Sequence, residues 1–201
     1  MQTDRLENQL SFLTEIDALK SVLRQSRIAD SSRRENSAEH SWHLAMFALV
    51  LAGDDEALDV GKIISMLLIH DVVEIDAGDT PIHGNHDTVA MEALEKAAAA
   101  RLFGLLPSDQ ADGLIALWQE FEAARTPEAR FAKALDRFQP LLLNTLTDGG
   151  TWTESGVSED QVYERYGPTI ERGSPKLWAY ARQLVRQHFK TIESQKEPLS
   201  S

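Results

Sequence analysis

The run VGKIISMLLIHDVVEI, residues 60–75, constrains this chain more than any other stretch. At helical spacing it is apolar nearly all round, and a helix without a polar face belongs in the middle of a core with other helices about it. It also ends in His70, Asp71 and Glu74. Neighbours on a helix point about 100° apart, so the heads of His70 and Asp71 can reach one point between them, and Glu74 falls on the same face. A histidine and a carboxylate are costly to bury there unless each finds a compensating charge or hydrogen bond. A cation compensates both; so does a self-contained histidine–carboxylate core pair. The two residues alone leave both readings open.

The rest of the chain is also helical in pattern. Leu10, Leu13, Ile16, Leu19, Val22 and Leu23 form one stripe of a first helix. After the polar connector RIADSSRREN, Ser37 reads as the N-cap of a second helix, AEHSWHLAMFALVLA. The segment DAGDTPIHGNHD is turn chemistry. Alanine-rich and apolar-periodic stretches predict helices over about residues 88–105 and 107–124. Thr126-Pro127 predicts the start of another that reaches about residue 147. TDGGTW reads as a loop, followed by helices near residues 158–166 and 175–192. No stretch alternates with the period of a strand. The expectation is an all-α fold in one domain, with a helical core over about residues 10–147 and a C-terminal helical extension over about residues 158–192. At 201 residues and 42% hydrophobic the chain can bury such a core.

A net charge of −12 argues against binding a nucleic-acid polymer. A small anion could still bind, given a metal or a local arginine cluster. With no cysteine there is neither disulfide nor thiolate chemistry, in keeping with the cytoplasm as the expected compartment. MQTDRLENQLSFL lacks the basic and apolar regions of a signal peptide. The longest apolar run, residues 44–52, is far short of the ~20 residues of a membrane span.

Other segments hold candidate partners for His70 and Asp71. NSAEHSWHLAM sets His40 and His43 one turn apart. FAKALDRFQPLLL puts Asp136 on an otherwise apolar face, where it needs a partner; Lys133, Arg137 or Arg130 would be the ordinary one. Pro140 removes the hydrogen bond to the Asp136 carbonyl and predicts a bend there. A second His-Asp dipeptide, His86-Asp87, follows Gly84-Asn85, and there Asp87 reads as a helix N-cap. His83 is a further candidate in that loop, and Trp152, after Asp-Gly-Gly, is the tryptophan least obviously destined for the core.

In this order and on separate helices, His40, His70-Asp71 and Asp136 resemble the HD-domain metal-dependent phosphohydrolases. RRENSAEHSWH, LLIHDVVEIDAGDTP and EARFAKALDRFQPLL resemble the branch that contains the 5'-deoxynucleotidases, and the likeness runs over roughly residues 12–187. It implies a helical bundle of the HD type. It also implies one divalent metal ion (Mn, Co, Fe, Ni, Mg or Zn) on His40, His70, Asp71 and Asp136. Glu74 then matches the acid beside the attacking water and Asp79 a second active-site acid. Arg33, Glu35 and Glu39 match elements ahead of the first ligand, with Arg33 as phosphate contact and Arg34 and Glu35 on the substrate side. The resemblance needs only His40, so His43 is expected to be a core or groove histidine. The implied reaction is hydrolysis of a 5'-deoxynucleoside monophosphate by a homodimer. One departure lies upstream. Where deoxynucleotidases often carry Arg-Trp or Gly-Trp, this chain reads LRQSRIADSSRRE, without tryptophan. Two further readings stand beside it: an HD hydrolase of a cyclic nucleotide, a nucleoside triphosphate or a non-nucleotide phosphate, and a nucleotide sensor without turnover. Glu74 counts against the sensor, because a pure binder needs no water-activating carboxylate.

Overall fold

The first helix, α1 (Gln2–Glu15), does not continue as one stripe. It tightens into a 3-10 segment (Ile16–Ser21), and the chain then becomes extended. A 3-10 turn advances 120° per residue instead of 100°, so the apolar stripe read from the sequence is broken. Phe12 and Leu19 reach the core, whereas Leu10 and Leu13 are 53% and 57% exposed. The computed structural model describes residues 2–52, 57–84 and 87–196.

The polar connector contains a small antiparallel hairpin, β1 (Leu23–Arg27) with β2 (Arg34–Asn36). Its turn is closed by Ser31, whose N–H donates to the Ile28 carbonyl, and by Asp30, whose side chain accepts from Ser32 N–H. At five and three residues the strands are too short and too polar to show alternation, and the fold remains all-α apart from them.

Asn36, not Ser37, caps α2 (Ser37–Leu51), and Glu39 completes a reciprocal capping box. Ser37 therefore sits inside the helix, buried, with its hydroxyl free for another partner. α3 (Val60–Ile69) runs through the centre as its composition demands, with Ile63, Met66 and Leu67 fully enclosed. It tightens into a 3-10 turn at His70–Val73 and resumes as α4 (Glu74–Ala77), which stops at Gly78 with φ +76°.

Asp87 caps α5 (Thr88–Phe103), accepting from the N–H groups of Val89 and Ala90. α6 (Ser108–Ala123) leads to Thr126, which caps α7 (Pro127–Leu146). α7 is the axle of the bundle: it packs on α2, α3 and α6, on α9 (Glu159–Gly173) and on α10 (Pro175–Lys196), and it continues through Pro140. TDGGTW, read as a loop, instead opens a short helix, α8 (Gly150–Ser155). Gly149 and Gly150 at φ +93° and +42° turn the chain back on itself and bury Trp152 against Tyr166. Among the described residues no helix is long and apolar enough to cross a membrane.

Candidate metal centre

α2, the turn after α3, and α7 converge on one buried point. His40 comes from the first turn of α2, His70 and Asp71 from the place where α3 tightens, and Asp136 from the middle of α7. His40 Nε2 is 3.1 Å from Asp136 Oδ1 and 4.0 Å from Asp71 Oδ2. His70 Nε2 is 2.9 Å from Asp71 Oδ1 and 3.7 Å from Asp136 Oδ1. Ligand atoms of His40, His70 and Asp71 all lie within 4.8 Å of one another. Asp136 thus finds the two imidazoles rather than a neighbouring base. Lys133 pairs with Glu122 over the Phe121 ring, and Arg137 lines the cavity.

A divalent cation fits this cluster. His70 Nδ1 donates to the Leu67 carbonyl at 2.9 Å, which leaves Nε2 facing the carboxylates, buried and without a hydrogen bond of its own. Two imidazole nitrogens with carboxylate oxygens make a mixed, fairly hard donor set suited to first-row divalent ions. The electrostatics point the same way. Burial opposes a charge on His70, yet Asp71 and Asp136 outweigh it and lift its pKa to about 10. Burial likewise opposes the charge of Asp71, but His70 and Arg24 hold its pKa down at about 2. Asp136 is held well below the carboxylate range against burial by its hydrogen bond to His40 and by the facing imidazole of His70. The acids keep their charge and attract a positive partner.

Glu74 stands apart from the cluster. Its Oε2 accepts from the Ser37 hydroxyl at 2.6 Å, and burial together with the charge of Asp71 pushes its pKa up to about 8. Asp79 is also raised, mainly by burial. Between these acids lies Arg24, buried and held protonated by them against the cost of its burial. Its Nη1 donates to Asp71 Oδ2 at 2.9 Å and lies 3.5 Å from Asp79 and 3.7 Å from Glu74.

His70, Asp71, Glu74 and Asp136 open onto a cavity of about 590 Å³ whose walls also carry Arg24, Lys133, Arg137 and Arg165. A second cavity of about 280 Å³ shares Arg24, Asp79 and Arg137 and extends past Gln25, Thr151, Glu154 and Tyr166. Residues 79–82 belong to both walls.

The substrate-side residues read from the sequence are placed differently. Arg33 lies on the outer surface, its guanidinium forked onto both oxygens of Glu39 at 2.7 Å. Arg34 reaches Gln25 and lies 3.8 Å from Glu154, at the edge of the smaller cavity. Glu35 is buried behind His40, where it accepts from Gln139, and faces neither cavity. The cause is the hairpin: side chains alternate along β2, so one turns inward where its neighbours turn out. The guanidinium that reaches the cluster is Arg24, from β1. The sequence reading passes over it, because Arg24 falls between Leu23, the last residue of the first-helix stripe, and the connector that begins at Arg27. Gln139 was missed too, although a glutamine one turn from Asp136 on a buried apolar face was a visible anomaly.

His43 lies beside the cluster, half-buried, stacked on Trp42, and accepts from Gln139. His83 packs on Tyr166 in the wall of the smaller cavity, and Asp87 is occupied as the cap of α5. His86 lies outside the described residues.

A sequence model of the HD domain family matches residues 16–178. Among curated proteins, the chain is 32% identical over 136 residues to the 5'-deoxynucleotidase HDDC2 of Bos taurus, a match covering 67% of this chain and 65% of that protein. It is 30% identical over 134 residues to the human protein of the same name, covering 66% and 65%. The chain thus spans 65% of the length of these relatives. The crystal structure of a predicted metal-dependent phosphohydrolase from Magnetospirillum magnetotacticum is similar with a TM-score of 0.88 at 57% identity, covering 93% of this chain and 94% of that one. A conserved hypothetical protein from Pyrococcus furiosus shares the fold with a TM-score of 0.57 at 20% identity, covering 90% and 99%. The paired imidazoles and carboxylates, the helices that carry them and the extent of the family match agree: this chain belongs to the HD domain family.

Proposed function

We propose that the protein is a metal-dependent phosphomonoesterase whose substrate is a 5'-deoxynucleoside monophosphate. One observation carries the reading: a buried cluster of His40, His70, Asp71 and Asp136 opens onto a cavity that also presents Arg24 and Glu74. The names of the relatives support the substrate class. In this reading the four cluster residues hold one divalent ion, which acts as a Lewis acid toward a phosphoryl oxygen and a water nucleophile.

The protein's own groups do the rest. Arg24, with Arg137 beside it, neutralises charge on the phosphoryl group as it transfers. Glu74 takes the proton of the attacking water, oriented by the Ser37 hydroxyl at its other oxygen. Asp79 keeps Arg24 in place at 3.5 Å and lies where the two cavities meet. The smaller cavity takes the nucleoside. Arg33, exposed and paired with Glu39, has no part in the site.

The test is phosphate release by the metal-loaded protein over a panel of deoxynucleoside and nucleoside monophosphates, a cyclic nucleotide, a triphosphate and a sugar phosphate. Deoxynucleoside monophosphates should give the highest kcat/KM; a preference for any other class would replace the substrate and leave the metal chemistry in place. The reading includes a cytoplasmic homodimer. Trp42, Met46, Leu49 and Val50 form an exposed apolar stripe on α2 that a second copy would cover, and sedimentation of the full chain tests it.

A further inference from the structure

His40 is held at both ring nitrogens by residues one turn apart on the same helix. Asp136 Oδ1 is 3.1 Å from its Nε2, and Gln139 Oε1 is 3.1 Å from its Nδ1. Gln139 is 0% exposed, in the middle of α7, where a polar side chain persists only with its hydrogen bonds made. It makes all of them. Its Nε2 donates to Glu35 Oε1 at 2.7 Å and to His43 Nδ1 at 3.2 Å, while its oxygen faces His40.

The direction of this amide follows from Glu35. A carboxylate only accepts, so the NH₂ end of Gln139 must face Glu35. Flipping the amide would set oxygen against oxygen in a buried site. With the NH₂ end committed, the carboxamide oxygen is what meets His40 Nδ1, and Nδ1 must therefore carry a hydrogen. The nitrogen left to a cation is Nε2, on the side of Asp71, His70 and Asp136. The other oxygen of Glu35, 3.4 Å from His40 Nδ1 and 3.9 Å from Arg24 Nε but hydrogen-bonded to neither, adds a negative charge behind the ring.

His70 reaches the same state by other means, since its Nδ1 donates to the Leu67 carbonyl. There the orienting group is backbone and comes with the helix. At His40 it is a pair of side chains.

We propose that Glu35 and Gln139 are positioning residues that fix His40 with Nε2 toward the metal and thereby set the affinity of the site. This rests on the reading of His40 as a ligand. Partners that orient a ligating histidine are typically worth ~10–100-fold in metal affinity.

The experiment is a Co²⁺ titration of the metal-free full chain, followed by visible absorption, with thermal melting of each metal-free variant recorded alongside. Gln139→Leu and Glu35→Gln should weaken Co²⁺ binding by ~10–100-fold. The exchanged double variant, Glu35→Gln with Gln139→Glu, again offers His40 an acceptor and again pairs an amide with a carboxylate. It should recover affinity to within a few-fold and restore the wild-type cobalt spectrum. That recovery is the reading a merely structural role does not produce, and it keeps the test decisive if Gln139→Leu fails to fold. Single variants that bind Co²⁺ as the wild type does would overturn the proposal. So would an exchanged variant that melts like the wild type yet binds no better than the singles. A wild-type chain that binds no Co²⁺ would instead bring down the metal reading, and this proposal with it.

Discussion

The floor of the site and its wall are equally buried, yet their acids are driven in opposite directions. On the floor, Asp71 is held down at about 2 by His70 and Arg24 despite its burial. One turn later, on the wall, Glu74 is pushed up to about 8, because burial and the charge of Asp71 outweigh Arg24. The floor concentrates negative charge and has two imidazoles to answer it; the wall has one guanidinium, Arg24, which Glu74 and Asp79 share with Asp71 and Glu35. A group that stays charged suits holding a cation, and one poised near neutral pH suits accepting and releasing a proton. Environments that split the acidity of neighbouring carboxylates separate their roles.

The sharpest way to break this contrast is Asp71→Ala. It removes a floor carboxylate and leaves His40, His70 and Arg24 without its charge, so metal and activity should be lost together. Metal content measured beside turnover checks it. A variant that kept stoichiometric metal would move Asp71 from the floor to the wall.

Glu74→Ala should behave differently. Metal affinity should stay near wild type while kcat falls by ~10²–10⁴-fold, the range for losing a positioned acid or base. Both variants must be compared at saturating metal, so that weak binding is not mistaken for weak chemistry. Wild-type turnover in Glu74→Ala would pass the proton to Asp79, whereas loss of metal would make Glu74 a ligand.

Two arginines sharpen the contrast further. Arg24→Ala should lower kcat/KM by ~10²–10³-fold, as expected for removing a donor aimed at developing charge. Arg33→Ala, on the surface pair with Glu39, should change kcat/KM by less than a few-fold. Equal losses in the two variants would return Arg33 to the substrate.

These two arginines also show what was legible in the chain. His70, Asp71 and Asp136 drew attention because a polar group on an apolar helical face has a cost that only a partner removes, whereas His40 joined them only through the resemblance to the HD-domain phosphohydrolases. Asp87 and Thr126 were readable as caps for a similarly local reason, a short acceptor directly ahead of a helix. Arg24 carried no such mark. Its burial depends on a five-residue strand whose partner is a three-residue strand, and pairing between polar segments leaves little imprint on either. Trp152 was obscured in the same way, since two glycines that look like a loop in fact turn the chain into α8. What was lost is non-local: the hairpin's register and the return of α8 are decided by tertiary contacts.

The smallest effect expected concerns the metal-free protein and needs no substrate. His70 rises from 6.5 to about 10 in the folded chain, and Glu74 from 4.5 to about 8. Between the unfolded and folded values of each, the folded state binds more protons than the unfolded one. Stability must then fall as pH rises through that range. For His70 the contribution is complete below pH 6.5 and lost through about 10; for Glu74 it is complete below 4.5 and lost through about 8. Asp71 acts in the other direction, with stability present above 3.8 and lost as pH falls through about 2, well outside this window. His43, His83 and His188, held below 6.5 by burial, oppose the trend mainly under pH 7. From pH 7 to 9 the metal-free chain should therefore melt at progressively lower temperature. A saturating divalent ion supplies the positive charge that His70 otherwise provides as a proton, so the loaded protein should show a flatter profile and a higher Tm at pH 9. Melting scans at several pH values, with and without Mn²⁺, check both. A metal-free Tm that is level or rising from pH 7 to 9 would mean that His70 is not charged in the fold, and that the floor carries its negative charge unanswered.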